Sequence, residues 1–210
     1  MNFSKVFKVF KENYVLVPLE VFGNDPYKTL VSTLMSSRTN DTTTLVASKR
    51  LFKVAPNLEQ LGQLPARNAS HSDAGGEISI ESLIYPVGFY RTKAKHLKAL
   101  CRTVLSSYGG KVPKTREELM KLPGVGRKTA NLVMNRAFGI PAIAVDTHVH
   151  RITNLLGWVN TKTPERTETE LRRVLPKKHW HDINRLFVSI GRKFSTKKKL
   201  EEFLNKEKLI

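Results

Sequence analysis

The chain has 210 residues, enough for one sizeable domain or two small ones, and 40% hydrophobic residues supply a core. Lysine and arginine number 36 against 18 aspartates and glutamates, a net charge of +18, so the natural partner is a polyanion. The single cysteine, Cys101, excludes an intrachain disulfide and any all-cysteine zinc or iron–sulfur site within this sequence.

Met1 to Tyr14 alternates Phe, Val and Lys without a signal-peptide core, and the apolar runs elsewhere are short and broken by charge. No export signal or membrane span is expected. The basic residues are spread among apolar, helix-periodic segments, which favours a folded nucleic-acid enzyme or binder over a basic tail. Proline and glycine punctuate these segments and alternating strands are few, so the expected class is all-α.

Asn24-Asp25-Pro26 reads as a helix start, continued by YKTLVSTLMSS to about Ser37. Asp41 is positioned to cap TTTLVASKRLFKV, which stops before Pro56, and a shorter helix is expected from Asn57 to Leu64. Ala66 to Glu77 lacks bulky apolar residues and reads as a surface loop or insertion. Its Asn68-Ala69-Ser70 matches a glycosylation acceptor, which without an export signal carries no weight.

Helix signals resume at Ser79 to Tyr85 and at Arg91 to Ser107, where Leu97, Leu100, Cys101, Val104 and Leu105 share one face and Gly109-Gly110 ends the pattern. Cys101 is therefore a core residue by expectation. Thr115-Arg116-Glu117-Glu118 is a capping box opening a short helix that halts at Leu122-Pro123.

Pro123-Gly124-Val125-Gly126 then supplies a tight turn, and Ala130, Val133, Met134 and Ala137 follow at helical spacing. The product is a helix, a hairpin and a helix. Small glycines let backbone N–H groups approach a phosphate at a helix N-terminus, where the dipole favours an anion. A Walker A loop requires Gly directly before its Lys, whereas Arg127 intervenes, and GVGRKT lacks the third glycine of a dinucleotide fingerprint.

Lys128 opens the second helix beside Arg127 and near the positive end of its dipole, a placement suited to a free-amine nucleophile. Asp146 follows the apolar run Ile140 to Val145 and precedes a helical pattern, Thr147 to Leu156, closed by Gly157. It is a natural N-cap. Paired with Lys128, its carboxylate would instead stabilise a developing cation or shuttle protons, and spacing does not choose between the two roles.

LPGVGRKTAN followed by AFGIPAIAVDTHVHR resembles the helix-hairpin-helix plus Gly/Pro-Asp signature of the endonuclease III family of base-excision DNA glycosylases. The similarity runs upstream through DPYKTLVSTLMSSRTND, VGFYRTKAKHLKAL and GGKVPKTREELMKLPGVG, covering roughly residues 20 to 160 in matching order. The resemblance implies two helical domains with a DNA-binding cleft between them: a six-helix barrel over residues 24–140, and a second domain from residues 1–23 and 141–210.

The same resemblance makes Lys128 the nucleophile that attacks C1′ and forms a Schiff base, with Asp146 stabilising the cationic sugar. It assigns Leu122, Pro123, Gly124, Val125, Gly126 and Arg127 to the DNA-gripping hairpin, and His148 to the shaping of the substrate pocket. His150 is expected at the surface. Because C1′ is inaccessible in a stacked duplex, the nucleotide must be flipped and the gap filled. The fillers implied are Arg38 in MSSRTND, where many relatives carry glutamine, and the apolar wedge Phe89 in VGFYRTKA. Tyr90, Arg91 and Lys93 receive no catalytic role.

Many relatives end with four cysteines that ligate a four-iron, four-sulfur cluster, whereas GRKFSTKKKLEEFLNKEKLI contains none, so no cluster and no other resident metal is expected. A cation shared between the hairpin and a DNA phosphate remains compatible with the pattern. KKKLEEFLNKEKL reads either as a basic amphipathic helix with Leu200, Phe203 and Leu204 packing down, or as a solvated tail. The leading functional expectation is a bifunctional glycosylase and apurinic/apyrimidinic lyase removing oxidised pyrimidines from duplex DNA as a monomer. A mismatched- or deaminated-base glycosylase and a non-catalytic DNA binder remain the alternatives. The compartment implied is the cytoplasm or nucleoid of a prokaryote, or otherwise a nucleus or mitochondrion.

Overall fold

Side-chain caps set where the helices begin. In the computed structural model, which describes residues 2–67 and 78–210, Asp25 accepts a hydrogen bond from the Lys28 N–H at 3.0 Å and Pro26 takes the first helical position. Thr115 caps in the same way through Glu118 N–H, and Thr163 precedes Pro164 in a second cap-and-proline start. One expected cap is corrected: Asn40, not Asp41, accepts from Thr43 N–H at 2.8 Å, and Asp41 is the first residue inside the helix. Asp41, an acidic residue in the first turn, complements the N-terminal dipole.

The α-helices in chain order are α1 (Phe3–Glu12), α2 (Pro26–Ser36), α3 (Asp41–Val54), α4 (Leu58–Gln63), α5 (Ile80–Ile84), α6 (Tyr90–Ser107), α7 (Arg116–Leu119), α8 (Arg127–Phe138), α9 (Thr147–Leu155), α10 (Pro164–Val174), α11 (Ile183–Lys193) and α12 (Lys197–Lys206). Short 3-10 segments occupy Pro18–Phe22 and Lys177–His179. No strand occurs among the described residues, and the class is all-α. Most of the segment read as an insertion, including Asn68-Ala69-Ser70, lies outside the described residues.

The chain divides into two units, one of Met1–Val17 with Gly139–Ile210 and the other of Pro18–Phe138. Within Pro18–Phe138, α2 packs against α3, α6 and α8, and α6 also packs against α4 and α5. The fully buried Leu30, Leu97, Leu100, Cys101 and Val133 lie in its core, together with Leu19 and Phe22 from the first 3-10 segment. That segment therefore belongs with α2 to α8, which puts the division at residue 18 and not 24.

The other unit gathers both chain ends around aromatic rings. Phe10 of α1 is fully buried against Phe187 of α11, with centroids 4.9 Å apart, and beside Phe203 of α12. Phe194 and Phe203 stack at 4.2 Å, and Phe7 stacks on His179 at 4.0 Å. Leu200, Phe203 and Leu204 are all buried, so the C-terminal segment is an amphipathic helix on the core and not a solvated tail. Lys197, Lys198 and Lys199 stay exposed on its first turn.

Because Phe203 is buried between two other phenyl rings, Phe203→Ala should destabilise the protein by roughly 3–5 kcal/mol, read from a urea or guanidinium unfolding curve. A loss within about 0.5 kcal/mol would detach α12 from the core.

Candidate nucleic-acid interface

The hairpin is held from beneath. Val125 N–H donates to Leu122 C=O at 3.1 Å, closing the turn between α7 and α8. The sequence reading places Leu122 and Val125 among the DNA-gripping residues; their side chains are instead 2% and 7% exposed in the core, where they anchor the turn. Gly124 has φ +78°, and a Cβ there would lie 2.8 Å from His96 Nδ1, so backbone and packing both demand glycine.

Gly126 is different. Its carbonyl accepts the first α8 bond from Ala130 N–H at 2.9 Å, which makes it the helix N-cap, yet a Cβ would meet nothing within 4 Å. Nothing internal requires glycine there, and its bareness leaves room for an outside group. Pro123 is half-buried, while Arg127 and Lys128 are exposed at the start of α8. Among the described residues the Lys128 side chain has no hydrogen bond or ion pair.

Two loops of the same unit converge. Arg38, after α2, has φ +51°, and Phe89, before α6, has φ +57°; both non-glycine residues occupy the left-handed region. The Phe89 ring is 62% exposed, so it is no core anchor, and the Arg38 guanidinium lies 5.6 Å from its centroid. A groove of about 270 Å³ is lined by Arg38, Phe89, Thr92, Lys93, His96 and Gly124, joining these loops to the hairpin.

Lys93, which the sequence reading left without a role, is 5% exposed. Its ammonium donates to Met35 C=O at 2.7 Å, Ser37 C=O at 2.5 Å and Thr39 Oγ1 at 3.2 Å. Burial lowers its pKa to about 8, which still leaves it charged at neutral pH. The signal was its register: Lys93 shares the α6 stripe of Leu97, Leu100 and Val104, where a lysine needs a reason.

In the other unit, Asp146 caps α9, its Oδ1 accepting from Val149 N–H at 2.8 Å. Oδ2 has no hydrogen-bond partner among the described residues. His148, in the first turn of α9, lies against α11 so tightly that a Cβ on Gly191 would meet its Nδ1 at 2.3 Å. His150 corrects the surface expectation: it is half-buried, with Nδ1 2.6 Å from Thr167 Oγ1. Lys128 belongs to one unit and Asp146 to the other.

Among the described residues no group of three or more His, Cys, Asp or Glu is placed to hold a metal ion, and no helix is long and apolar enough to cross a membrane. Cys101 is fully buried, and burial pushes its thiol up to about 12.

This arrangement matches known proteins. The family description "HhH-GPD superfamily base excision DNA repair protein" fits residues 31–177. Endonuclease III of Thermotoga maritima is 46% identical over 169 residues, which cover 80% of this chain and 74% of that protein. Among solved structures, a trapped covalent endonuclease III–DNA intermediate superposes with a TM-score of 0.77 at 33% identity, over 90% of this chain and 82% of that one. A non-covalent endonuclease III–DNA complex gives the same score and identity over 91% and 83%.

The buried ammonium has a measurable consequence. A lysine whose folded pKa lies near 8, below its ordinary 10.5, makes the unfolded chain bind more protons between those values. Its contribution to unfolding free energy therefore rises with pH across that window and is flat below it. Denaturant titrations at pH 7.5 and 10 should show this increment in the wild type and its loss in Lys93→Met. Parallel pH dependence of the two proteins would contradict it.

Proposed function

Because the chain belongs to the HhH-GPD superfamily of base excision DNA repair proteins and is a DNA glycosylase/AP lyase, we propose that it removes oxidised pyrimidines from duplex DNA through Lys128. The observation that carries this reading is the Lys128 amine itself. It stands exposed two residues after the open Gly126, with no competing acceptor among the described residues.

The chemistry follows from what such an amine does at a deoxyribose. The neutral Nζ lone pair forms a bond to C1′ while the C1′–N glycosidic bond breaks, its electron pair leaving with the base, which takes up a proton. Ring opening and loss of the amine proton give an imine. The imine acidifies the C2′ hydrogen, and removal of that proton expels the 3′ phosphate by β-elimination. Positive charge develops on the sugar at the first step, and the uncommitted Asp146 Oδ2 is the carboxylate suited to stabilise it and to receive the amine proton.

Gly126, Arg127 and the N-terminus of α8 take a phosphate of the DNA backbone, with Pro123 and Gly124 shaping the approach and Leu122 and Val125 holding it from the core. A cation shared between hairpin carbonyls and that phosphate fits the same role. Arg38 and Phe89 fill the duplex once the nucleotide has left it, and His148 shapes the pocket from the first turn of α9. A cluster held by four cysteine thiolates does not fit this sequence, whose one thiol is Cys101 in the core; no step requires it.

The test is borohydride trapping on duplexes carrying thymine glycol, an abasic site, uracil opposite guanine, or no lesion. Thymine glycol and abasic duplexes should give a covalent adduct on a denaturing gel that Lys128→Ala abolishes. Asp146→Asn should slow its formation on the order of 10²-fold. Absence of any adduct, or its persistence in Lys128→Ala, would overturn the assignment of the nucleophile.

A further inference from the structure

The two loops that carry Arg38 and Phe89 are not independent. Gly88, immediately before Phe89, comes so close to the other loop that a Cβ on it would lie 2.6 Å from Arg38 C=O. Its N–H donates to Thr39 Oγ1 at 3.0 Å. The same oxygen accepts from the Lys93 ammonium at 3.2 Å, and that ammonium also takes the carbonyls of Met35 and Ser37 at the end of α2. Lys93 is itself fixed to the second loop, since its backbone N–H donates to Phe89 C=O at 3.0 Å.

We propose that Lys93 and Thr39 are positioning residues that lock Arg38 and Phe89 into one preassembled wedge, so that duplex opening requires no ordering of either loop. The inference rests on the reading of Arg38 and Phe89 as gap fillers. Three features converge on it. Both tips sit in left-handed backbone, a conformation that is unfavourable for a side-chain-bearing residue and persists only where the surroundings enforce it. The enforcing contacts are an ammonium with three oxygen acceptors and one threonine hydroxyl shared between the loops. The tips also lie side by side, the Arg38 guanidinium carbon over the Phe89 ring 5.6 Å from its centroid, so the two fillers are held as one unit.

A preassembled wedge lowers the ordering cost that loops otherwise meet on binding. Phosphate gripping by the hairpin does not pass through these contacts, so the variants separate opening from binding. The experiment uses the full chain carrying Lys128→Ala, which removes chemistry, and a duplex with 2-aminopurine opposite a tetrahydrofuran abasic analogue. Fluorescence of the 2-aminopurine at saturating protein reports opening, and anisotropy on the same duplex reports binding.

Thr39→Val keeps the volume and removes the shared hydroxyl. It should lower the opened population about fivefold, the effect of roughly one lost hydrogen bond, and Thr39→Ser should restore it. Lys93→Met should lose more, and Thr39→Val, at a half-buried position, keeps the test independent of whether Lys93→Met folds. If Thr39→Val opens the duplex as well as the parent while Arg38→Ala and Phe89→Ala do not, the coupling is wrong and the fillers stand. If Arg38→Ala and Phe89→Ala also open it normally, the filler reading fails and the wedge fails with it.

Discussion

Basic residues outnumber acidic ones by 36 to 18, so carboxylates cannot fasten most of the cations this protein carries. Carbonyl oxygens at helix C-termini hold several of the others. Lys93 takes the end of α2, Lys98 the Gly62 and Leu64 carbonyls at the end of α4, and Arg50 those of Leu83 and Tyr85 at the end of α5. Arg151 takes the Gly191, Phe194 and Ser195 carbonyls after α11, and Lys5 takes Lys208 C=O beyond α12. A helix C-terminus offers unsatisfied carbonyls and the negative end of the dipole, each such contact contributing about 0.3–1 kcal/mol. These contacts hold cations without an acidic partner, and the excess positive charge remains for a polyanion.

Arg151 is the instructive member. It projects from α9, the helix that Asp146 caps, and holds the corner where α11 gives way to α12. Phe194 and Phe203 stack across that corner, and Phe10 from the opposite end of the chain packs beside Phe203. A charge at carbonyls and three phenyl rings thus fasten the C-terminal segment. In the same region Gly191 lets α11 approach α9 until His148 is in van der Waals contact with its backbone. The packing that secures the last two helices is therefore also the packing that orients the first turn of α9, where the candidate carboxylate sits.

Much of this was legible in the sequence because capping and periodicity are local. Asp25-Pro26, the Thr115 cap and Asp146 mark their helices, and the stripe from Leu97 to Val104 defines a buried face. The Asn40–Asp41 pair was misread because either side chain can cap and only the backbone conformation at residue 40, φ −68° and ψ 151°, decides. The hairpin motif names Leu122 and Val125 as part of the DNA-gripping turn but does not say which of its side chains point inward, and both are buried. Lys93 was passed over because a lysine normally reads as solvated, and its acceptors lie more than fifty residues upstream at the end of α2. The α6 register held the clue; the partner was not readable without the fold.

The sites where internal packing explains a residue can be set against those where it does not. Gly124 is dictated by φ and by His96, Gly88 by the neighbouring loop, Gly191 by His148, and Leu122 and Val125 by the core. None of these needs a ligand to account for it. Gly126 has open space where a Cβ would go, Lys128 has an exposed amine without a partner among the described residues, and Asp146 commits one carboxylate oxygen of two. Phe89 exposes a phenyl ring to water on a left-handed backbone, which costs free energy twice. Folding alone would accept a Ser, Thr, Asp or Asn cap in place of Gly126, and would select an ion-paired lysine and a polar or glycine tip at the other positions. Their actual identities are unfavourable or neutral for the isolated chain, and the proposed function gives each a use: a phosphate for Gly126, a sugar carbon for Lys128, a developing cation for Asp146 and an opened base stack for Phe89.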